Sequence, residues 1–281
     1  MFSLACIGGN HQRVGLLCQW VGALTERFQK PIQKNRQTTF PLSGFSGSEL
    51  SFPLSTVRRT PASRAMLHYD LIPPKRATAE PFYCLVLHGL GDSKSGWKPV
   101  ADELALPELG WCFAQAPIPY YGGWSWFDIY ADHSIDRAQQ HESRDELKRL
   151  VDHVLATLKL PSERLFVMGF SQGCLMTLDL GLRADRCFAG LIGISGFLTN
   201  VDEYPAAFGS AVKQQHVLMT HGHFDSVLPI APTRRVKDRL LTMGVPLDWR
   251  EYAKDHGLDP HRELGDLRAF LARRSAAGVG T

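Results

Sequence analysis

The sequence predicts an α/β fold, in which helices on both faces cover a mostly parallel β-sheet. From Met66 onward, short apolar runs alternate with segments of helical periodicity, and this alternation is typical of parallel sheets built from βαβ units. The apolar fraction of 44% and the charged fraction of 21% are ordinary for a globular protein. With 281 residues, the chain is long enough to bury a sizeable core.

Six apolar runs are predicted as strands, and the stretches between them supply the covering helices. The strands are expected near residues 83–88, 111–114, 164–169, 190–194, 216–220 and 247–252. After the second strand, the apolar face of a long helix is formed at three- and four-residue spacing by Leu147, Leu150, Val151, Val154, Leu155 and Leu158. Later helices fit residues 233–243 and 262–273. No internal repeat or second domain is recognisable, so one domain is predicted over residues 66–281.

Residues 1–65 differ from the rest of the chain and are predicted to form an N-terminal extension outside the core. They contain no Asp, two Glu and eight Lys or Arg residues. A disordered extension, or an over-extended start with Met66 as the true initiator, is favoured. A cleavable transit peptide stays open, as does a secretory signal over residues 14–24, although Gln19 interrupts that apolar segment and no clear cleavage pattern follows it.

Charge, cysteine spacing and hydropathy exclude several classes of protein. The net charge of +3 is small, so nothing predicts a nucleic-acid partner. The six cysteines lack the spacing of zinc or redox sites and the density of a disulfide scaffold. No apolar run reaches the roughly 18 residues that a membrane span needs. We therefore expect a soluble, cytoplasmic protein with reduced thiols, unless the extension directs it to an organelle. A homodimer is compatible with these features.

One short motif places a serine on a strand-to-helix turn. G-F-S-Q-G at residues 169–173 lies between an apolar run at 165–168 and an amphipathic stretch at 174–178. Glycines two residues either side of the serine allow a sharp turn, which exposes the hydroxyl at the carboxyl edge of the sheet. Alone, such a pattern arises by chance in about one chain in ten of this length. Ser171 is therefore a candidate nucleophile that requires partners.

The partners of Ser171 are expected in chain order as a carboxylate and then a histidine, each after a strand. Strand 216–220 leads into H-G-H-F-D, which ends in Asp225, and strand 247–252 leads into A-K-D-H-G, which contains His256. Ligands of an open parallel sheet bind outside the carboxyl ends of the strands, so these three side chains are expected to converge there. The imidazole would take the serine proton, and the carboxylate would orient the imidazole.

Two backbone amides are predicted to form an oxyanion hole beside Ser171. One belongs to Gln172, directly after the nucleophile, and the other to a glycine-rich loop after an earlier strand. H-G-L-G-D at residues 88–92 follows the first predicted strand. Its two glycines let the backbone bend so that the Leu90 amide points at the oxyanion.

Five motifs in fixed order resemble the phospholipase/carboxylesterase family, which includes the acyl-protein thioesterases. They are L-H-G-L-G-D at 87–92, S-W-F-D at 125–128, G-F-S-Q-G at 169–173, S-G-F-L at 195–198 and H-G-x-x-D at 221–225, within a likeness over about residues 85–271. The resemblance implies a compact α/β-hydrolase without a large cap domain and without a cofactor. It also implies cleavage of carboxylic esters or thioesters, including those of lysophospholipids or acylated proteins, through an acyl-enzyme intermediate. Ser171, Asp225 and His256 would form the triad, and Leu90 and Gln172 the oxyanion hole.

Three positions depart from the family pattern. His223 stands where members often carry a second acidic residue, Ser226 stands where they carry a proline, and Cys174 replaces a small residue beside the nucleophile. None of these departures removes a member of the triad. The first two are expected to alter the loop that carries Asp225 and, with it, the substrate preference.

The segment at residues 120–130 is irregular and rich in aromatic rings. Aromatic side chains most often serve packing alone, but ligand pockets are mostly apolar, so this segment can supply the wall of an acyl site. Trp124, Trp126 and Leu228 are the candidate substrate contacts, and Trp126 is interpreted first as a structural anchor. Whether the acyl group belongs to a lipid, a small ester or a protein stays open.

A metal-dependent mechanism is a less favoured alternative. His221-x-His223-x-Asp225 matches the start of the H-x-H-x-D-H motif with which metallo-hydrolases bind zinc. The sixth residue is Ser226 instead of histidine, and no further ligand cluster is obvious. No metal site is therefore predicted.

Further alternatives concern single residues and the reaction class. His261 and His88 are weaker candidates for the base, because neither follows the last strand in the required way. Cys174 is interpreted as a buried filler of the first helical turn. A transacylase on the same fold and an inactive binding protein remain alternative functions.

Overall fold

The computed structural model of the protein describes residues 65–130 and 132–277. Of the predicted N-terminal extension, residues 1–64 lie outside the described residues. The described part contains nine strands: β1 (Tyr69–Ile72), β2 (Phe82–Leu87), β3 (Leu109–Ala114), β4 (Ile118–Tyr120), β5 (Gly123–Ser125), β6 (Leu165–Phe170), β7 (Gly190–Ile194), β8 (Val217–Gly222) and β9 (Leu247–Tyr252).

Seven of these strands form one sheet, in the order β1-β3-β2-β6-β7-β8-β9, and β4 and β5 form a separate hairpin. Edge strand β1 is antiparallel to β3, and the other strands of the sheet are parallel. All residues of β2, β3, β6, β7 and β8 are buried, because a parallel sheet is covered on both faces. The prediction of a mostly parallel sheet is confirmed.

Helices cover both faces of this sheet. The described residues form α1 (Lys98–Leu104), α2 (Arg137–Leu158), α3 (Gln172–Leu182), α4 (Ile230–Thr242) and α5 (Arg262–Ala277). Alternate residues of β2 face two separate cores, one shared with α1 and α5 and the other shared with α2, α3 and α4. Within residues 65–130 and 132–277, no helix combines the length and the apolar character needed to cross a membrane.

The structure contains elements that sequence reasoning missed, although each of the six predicted strands is present within two residues of its expected bounds. The additions are β1, the β4–β5 hairpin and α1, which contain only three to seven residues each. Such short elements do not establish a hydrophobic period. The expectation of an amphipathic stretch at residues 174–178 is wrong, because every residue of α3 is buried between the sheet and α2.

Candidate active site

Ser171 lies on a strained turn between β6 and α3. Its backbone angles of φ 54° and ψ −113° fall outside the regions that ordinary residues favour. The flanking glycines are required by close backbone approach: a Cβ on Gly169 would lie 2.1 Å from Gly173 O, and one on Gly173 would lie 2.1 Å from Leu87 O. The turn therefore holds the serine in one conformation at the carboxyl edge of the sheet.

Replacing Gly173 by alanine is expected to lower the free energy of unfolding by at least about 2 kcal/mol, because the new methyl group overlaps backbone atoms of the neighbouring strand. Urea unfolding measures the change. Gly265→Ala in α5 is the matched control: among the described residues nothing lies within 4 Å of its added Cβ, and alanine favours helices by up to about 1 kcal/mol. Equal stability of the two variants would contradict the expectation.

The hydroxyl of Ser171 faces an imidazole that is itself bound to a carboxylate. Ser171 Oγ is 3.0 Å from His256 Nε2, and His256 Nδ1 is 2.8 Å from Asp225 Oδ2. All three residues are buried, with Ser171 6% exposed. Asp225 follows β8 and His256 follows β9, so the parallel strands bring together residues that are separated by up to 85 positions in the chain.

The loop after β8 orients Asp225 through both of its oxygens. Asp225 Oδ1 accepts the amides of Val227 at 3.0 Å and Leu228 at 2.7 Å, which leaves Oδ2 for His256. Burial alone would raise the pKa of the Asp225 carboxyl, but the hydrogen bond and charge of His256 outweigh it and lower the pKa. His221 Nε2 binds Leu228 O at 2.8 Å and closes the loop from its other side.

The two histidines of the metal-like motif bind different partners. His221 is buried and its pKa is lowered by desolvation, whereas His223 is exposed and lies 2.8 Å from Glu251 Oε2. Arg234 binds the same carboxylate and holds the pKa of Glu251 at about 2. Within the described part of the chain, no three His, Cys, Asp or Glu side chains are grouped as a metal would require.

The loop after β2 is held in place by the hairpin. The Gly91 amide donates to Trp124 O and the Trp124 amide donates to Asp92 O, both at 2.9 Å. A Cβ on Gly123 would lie 2.0 Å from Gly91 O, so a glycine is needed for this approach. The hairpin, which the sequence did not predict, thus positions the loop that contains Leu90.

Two backbone amides beside Ser171, those of Leu90 and Gln172, donate to no backbone carbonyl of the described residues. The Leu90 amide has no backbone acceptor within residues 65–130 and 132–277. Gln172 is the first residue of α3, where amides lack an acceptor within the helix. The two segments adjoin, because a Cβ on Gly89 would lie 3.4 Å from Ser171 Cβ.

The side chain of Gln172 connects the serine turn to the S-W-F-D segment. Its Oε1 accepts the Trp126 amide at 2.8 Å, and its Nε2 donates to Phe127 O at 2.6 Å and to Ser125 Oγ at 3.1 Å. Sequence reasoning assigned a role only to the backbone of Gln172. The signal in the sequence was the presence of both S-W-F-D and G-F-S-Q-G. A buried glutamine side chain requires hydrogen-bond partners, and the S-W-F-D segment supplies them.

His88 fixes the start of the glycine-rich loop after β2, at residues 88–92. Its Nδ1 donates to Gly89 O at 2.7 Å, and its Nε2 accepts the amide of Ala116 and the Gln115 side chain, both at 3.1 Å. Burial lowers the pKa of His88 to about 4. The ring is therefore neutral at pH 7 and already has a partner at each nitrogen, which argues against His88 as the base.

His88 is expected to make folding sensitive to acid. The unfolded chain takes up a proton on His88 near pH 6.5 and the folded chain only near pH 4. The contribution of His88 to the free energy of unfolding is therefore complete above pH 6.5 and is lost as the pH falls from 6.5 to about 4. The shift corresponds to about 3 kcal/mol of unfolding free energy. Urea unfolding of the wild type and His88→Gln at several pH values isolates this contribution, and parallel pH dependences would refute it.

The three candidate substrate contacts occupy different environments. Trp126 is fully buried, and its Nε1 donates to His88 O at 2.9 Å, so its ring supports the glycine-rich loop at residues 88–92 from within the core. Trp124 and Leu228 are half-buried. Of the three, only these two have side-chain surface available to a ligand.

The remaining alternatives, His261 as base and Cys174 as a reactive thiol, lie in environments unsuited to those roles. His261 is exposed at the turn before α5, and its backbone amide donates to Asp259 Oδ1 at 2.8 Å. Cys174 is buried against Gly193 and Gly196, and burial raises the pKa of its thiol to about 12. The thiol is therefore protonated and acts as filler, as the sequence indicates.

A parallel sheet covered on both faces, with a serine on the turn after its central strand and a histidine and an aspartate after later strands, defines an α/β-hydrolase. The family comparison agrees with this class. The chain belongs to the phospholipase/carboxylesterase family, whose model matches residues 72–275. It is accordingly a carboxylic ester hydrolase, as the sequence motifs predict.

Individual relatives support the same family. Acyl-protein thioesterase 1 of Schizosaccharomyces pombe is 34% identical over 155 residues, which cover 52% of this chain and 69% of the relative. Acyl-protein thioesterase 1 homolog 1 of Dictyostelium discoideum is 31% identical over 215 residues, which cover 71% and 93%. Among solved structures, esterase PE8 has a TM-score of 0.68 and 21% identity, covering 74% of this chain and 99% of that protein. This last likeness concerns the fold alone.

Proposed function

We propose that residues 66–281 form a serine hydrolase domain that cleaves carboxylic esters or thioesters through an acyl-enzyme intermediate. One observation carries the proposal: Ser171 Oγ, His256 and Asp225 form a continuous hydrogen-bonded chain with distances of 3.0 and 2.8 Å. The names of the acyl-protein thioesterase relatives support thioesters among the substrates.

The geometry supports a two-step reaction. Ser171 Oγ attacks the acyl carbonyl while His256 Nε2 takes its proton, and Asp225 holds the Nδ1–H so that Nε2 can accept. The amides of Leu90 and Gln172 donate to the oxyanion, each worth about 3 kcal/mol of transition-state stabilisation. His256 then protonates the departing alcohol or thiol. A water molecule, deprotonated by the same imidazole, releases the acid from Ser171.

Covalent labelling tests the mechanism directly. A fluorophosphonate should modify the wild-type protein at one residue, identified as Ser171 by peptide mass spectrometry, and a chelator should leave ester turnover unchanged. The labelled protein should lose turnover in proportion to the modification. Label on another residue, or turnover that a chelator abolishes, would overturn the serine mechanism.

A substrate panel addresses the acyl group. Initial rates on p-nitrophenyl esters from acetate to palmitate, measured beside acyl thioesters, separate a short ester site from a long acyl site. Under the proposal, every substrate that the unlabelled protein cleaves is no longer cleaved after fluorophosphonate labelling. Trp124 and Leu228 are the positions at which substitution should alter the chain-length preference.

A further inference from the structure

The loop that carries His256 is tied to the core by a buried ion pair that the proposed mechanism does not use. Lys254 precedes the histidine by two residues, and Glu263 lies in the first turn of α5. Lys254 Nζ is 2.7 Å from Glu263 Oε1 and 2.6 Å from Oε2. The lysine is 8% exposed and the glutamate is fully buried, which is rare for charged side chains without a specific partner.

The pair binds the chain on both sides of His256. Lys254 Nζ donates to Gly257 O at 2.8 Å and to Ser195 Oγ, in the loop after β7, at 2.9 Å. Glu263 Oε2 accepts the amide of Asp259 at 2.9 Å. The residues before and after the imidazole are therefore held to the same two charged groups.

The same loop also supports the acid. The amide of Phe224, next to Asp225, donates to the backbone oxygen of Lys254 at 3.0 Å. A shift of Lys254 would thus move the histidine and its carboxylate together. Phe170, which precedes the serine, packs on the His256 ring with centroids 5.1 Å apart.

Resting on the proposed function, we infer that Lys254 and Glu263 are positioning residues, which hold His256 at the distance from Ser171 that proton transfer requires. Stability alone does not explain the pair, because apolar residues of similar volume often stabilise a core as well as a buried ion pair does. The directional bonds of one ammonium group to α5, to the loop after β7 and to Gly257 of its own loop instead specify one conformation of the His256 loop. Proton transfer is sensitive to displacements of this size.

Glu263→Gln is the first test. It keeps the shape of the side chain but leaves the Lys254 ammonium group without its carboxylate. Asp225 and His221 already face His256, and the substitution adds an uncompensated cation, which disfavours the imidazolium form. We expect kcat to fall at least about tenfold with little change in KM, and the acidic limb of the kcat/KM profile to move to lower pH.

The double variant Lys254→Met/Glu263→Leu removes both charges. Its acidic limb should return to the wild-type position, while kcat stays low because Gly257 and Ser195 have lost their donor. A role in stability alone would not predict that the acidic limb returns to its wild-type position while kcat stays low. If Glu263→Gln fails to fold, as circular dichroism would show, the double variant decides the question through kcat.

Asp179→Asn is the matched control, because Asp179 is also fully buried and ion-paired, with Arg183 Nε at 2.6 Å, but lies outside the site. It should lose stability and retain kcat, KM and pH profile. Wild-type kinetics in the folded double variant would overturn the inference. Wild-type turnover that persists in His256→Ala would instead overturn the proposed function, so the two failures are distinguishable.

Discussion

Replacing Ser171 by alanine is expected to lower kcat for p-nitrophenyl esters by about 10⁴- to 10⁶-fold, the loss seen when a serine hydrolase lacks its nucleophile. The Ser171 hydroxyl is hydrogen-bonded to His256, which in turn binds Asp225. The amides of Leu90 and Gln172, which we propose as oxyanion donors, belong to the backbone and remain, so a small residual rate above that of water is expected.

The fold should survive this substitution. Alanine removes one oxygen atom and keeps the Cβ, so the strained turn and its flanking glycines are unchanged. Ser210→Ala, at an exposed serine that binds Asp185, is the matched control and should keep full activity. Initial rates of ester hydrolysis measure the activity of both variants, and circular dichroism verifies that each is folded. Residual activity of Ser171→Ala above about 1% would contradict its role as nucleophile.

Replacing Asp225 by asparagine is expected to lower kcat by about 10⁴-fold without disturbing the loop. The amides of Val227 and Leu228 bind Oδ1, so an asparagine keeps its oxygen there and turns its NH₂ group toward His256. That donor can only face an unprotonated Nδ1. The imidazole would then carry its proton on Nε2 and could not accept one from Ser171.

The tautomer argument makes this test specific. Asp248→Asn, at an exposed carboxylate of β9, changes the net charge equally and should leave kcat unchanged. Fluorophosphonate labelling of Asp225→Asn should slow together with kcat, because both reactions need a deprotonated hydroxyl. Rapid labelling with slow turnover would show that Asp225 does not act through the histidine.

The order of the motifs predicted which side chains converge at the sheet edge, because the turn and the strand ends impose strong local requirements on the chain. Only glycines at positions 169 and 173 permit the approach of β6, α3 and β2 around Ser171. The positions of Asp225 and His256 directly after strands follow from parallel pairing, which aligns the carboxyl ends of β8 and β9. Each of these features depends on a short segment of sequence. The hydrophobic periodicity of the strands and the order of the motifs therefore predict them.

The supports of the site were not predictable in the same way. Gln172 reaches Trp126 across 46 positions, and Lys254 reaches Ser195 across 59. The sequence around a polar residue does not reveal whether its side chain will be exposed or buried with partners, since the same local sequence is compatible with both. His223 likewise belongs to a metal-like pattern in the sequence, whereas in the structure its Nε2 lies 2.8 Å from Glu251 Oε2.

The sequence by itself determined the fold class, the family and the candidate nucleophile with its acid and base, because binary pattern and glycine placement act over a few residues. Only the tertiary structure decided which polar groups meet: the hairpin against the Leu90 loop, the Gln172 side chain under S-W-F-D, and the Lys254–Glu263 pair around His256. Hydrogen bonds and ion pairs have short ranges. Their partners are therefore set by how the chain packs, which no single segment specifies.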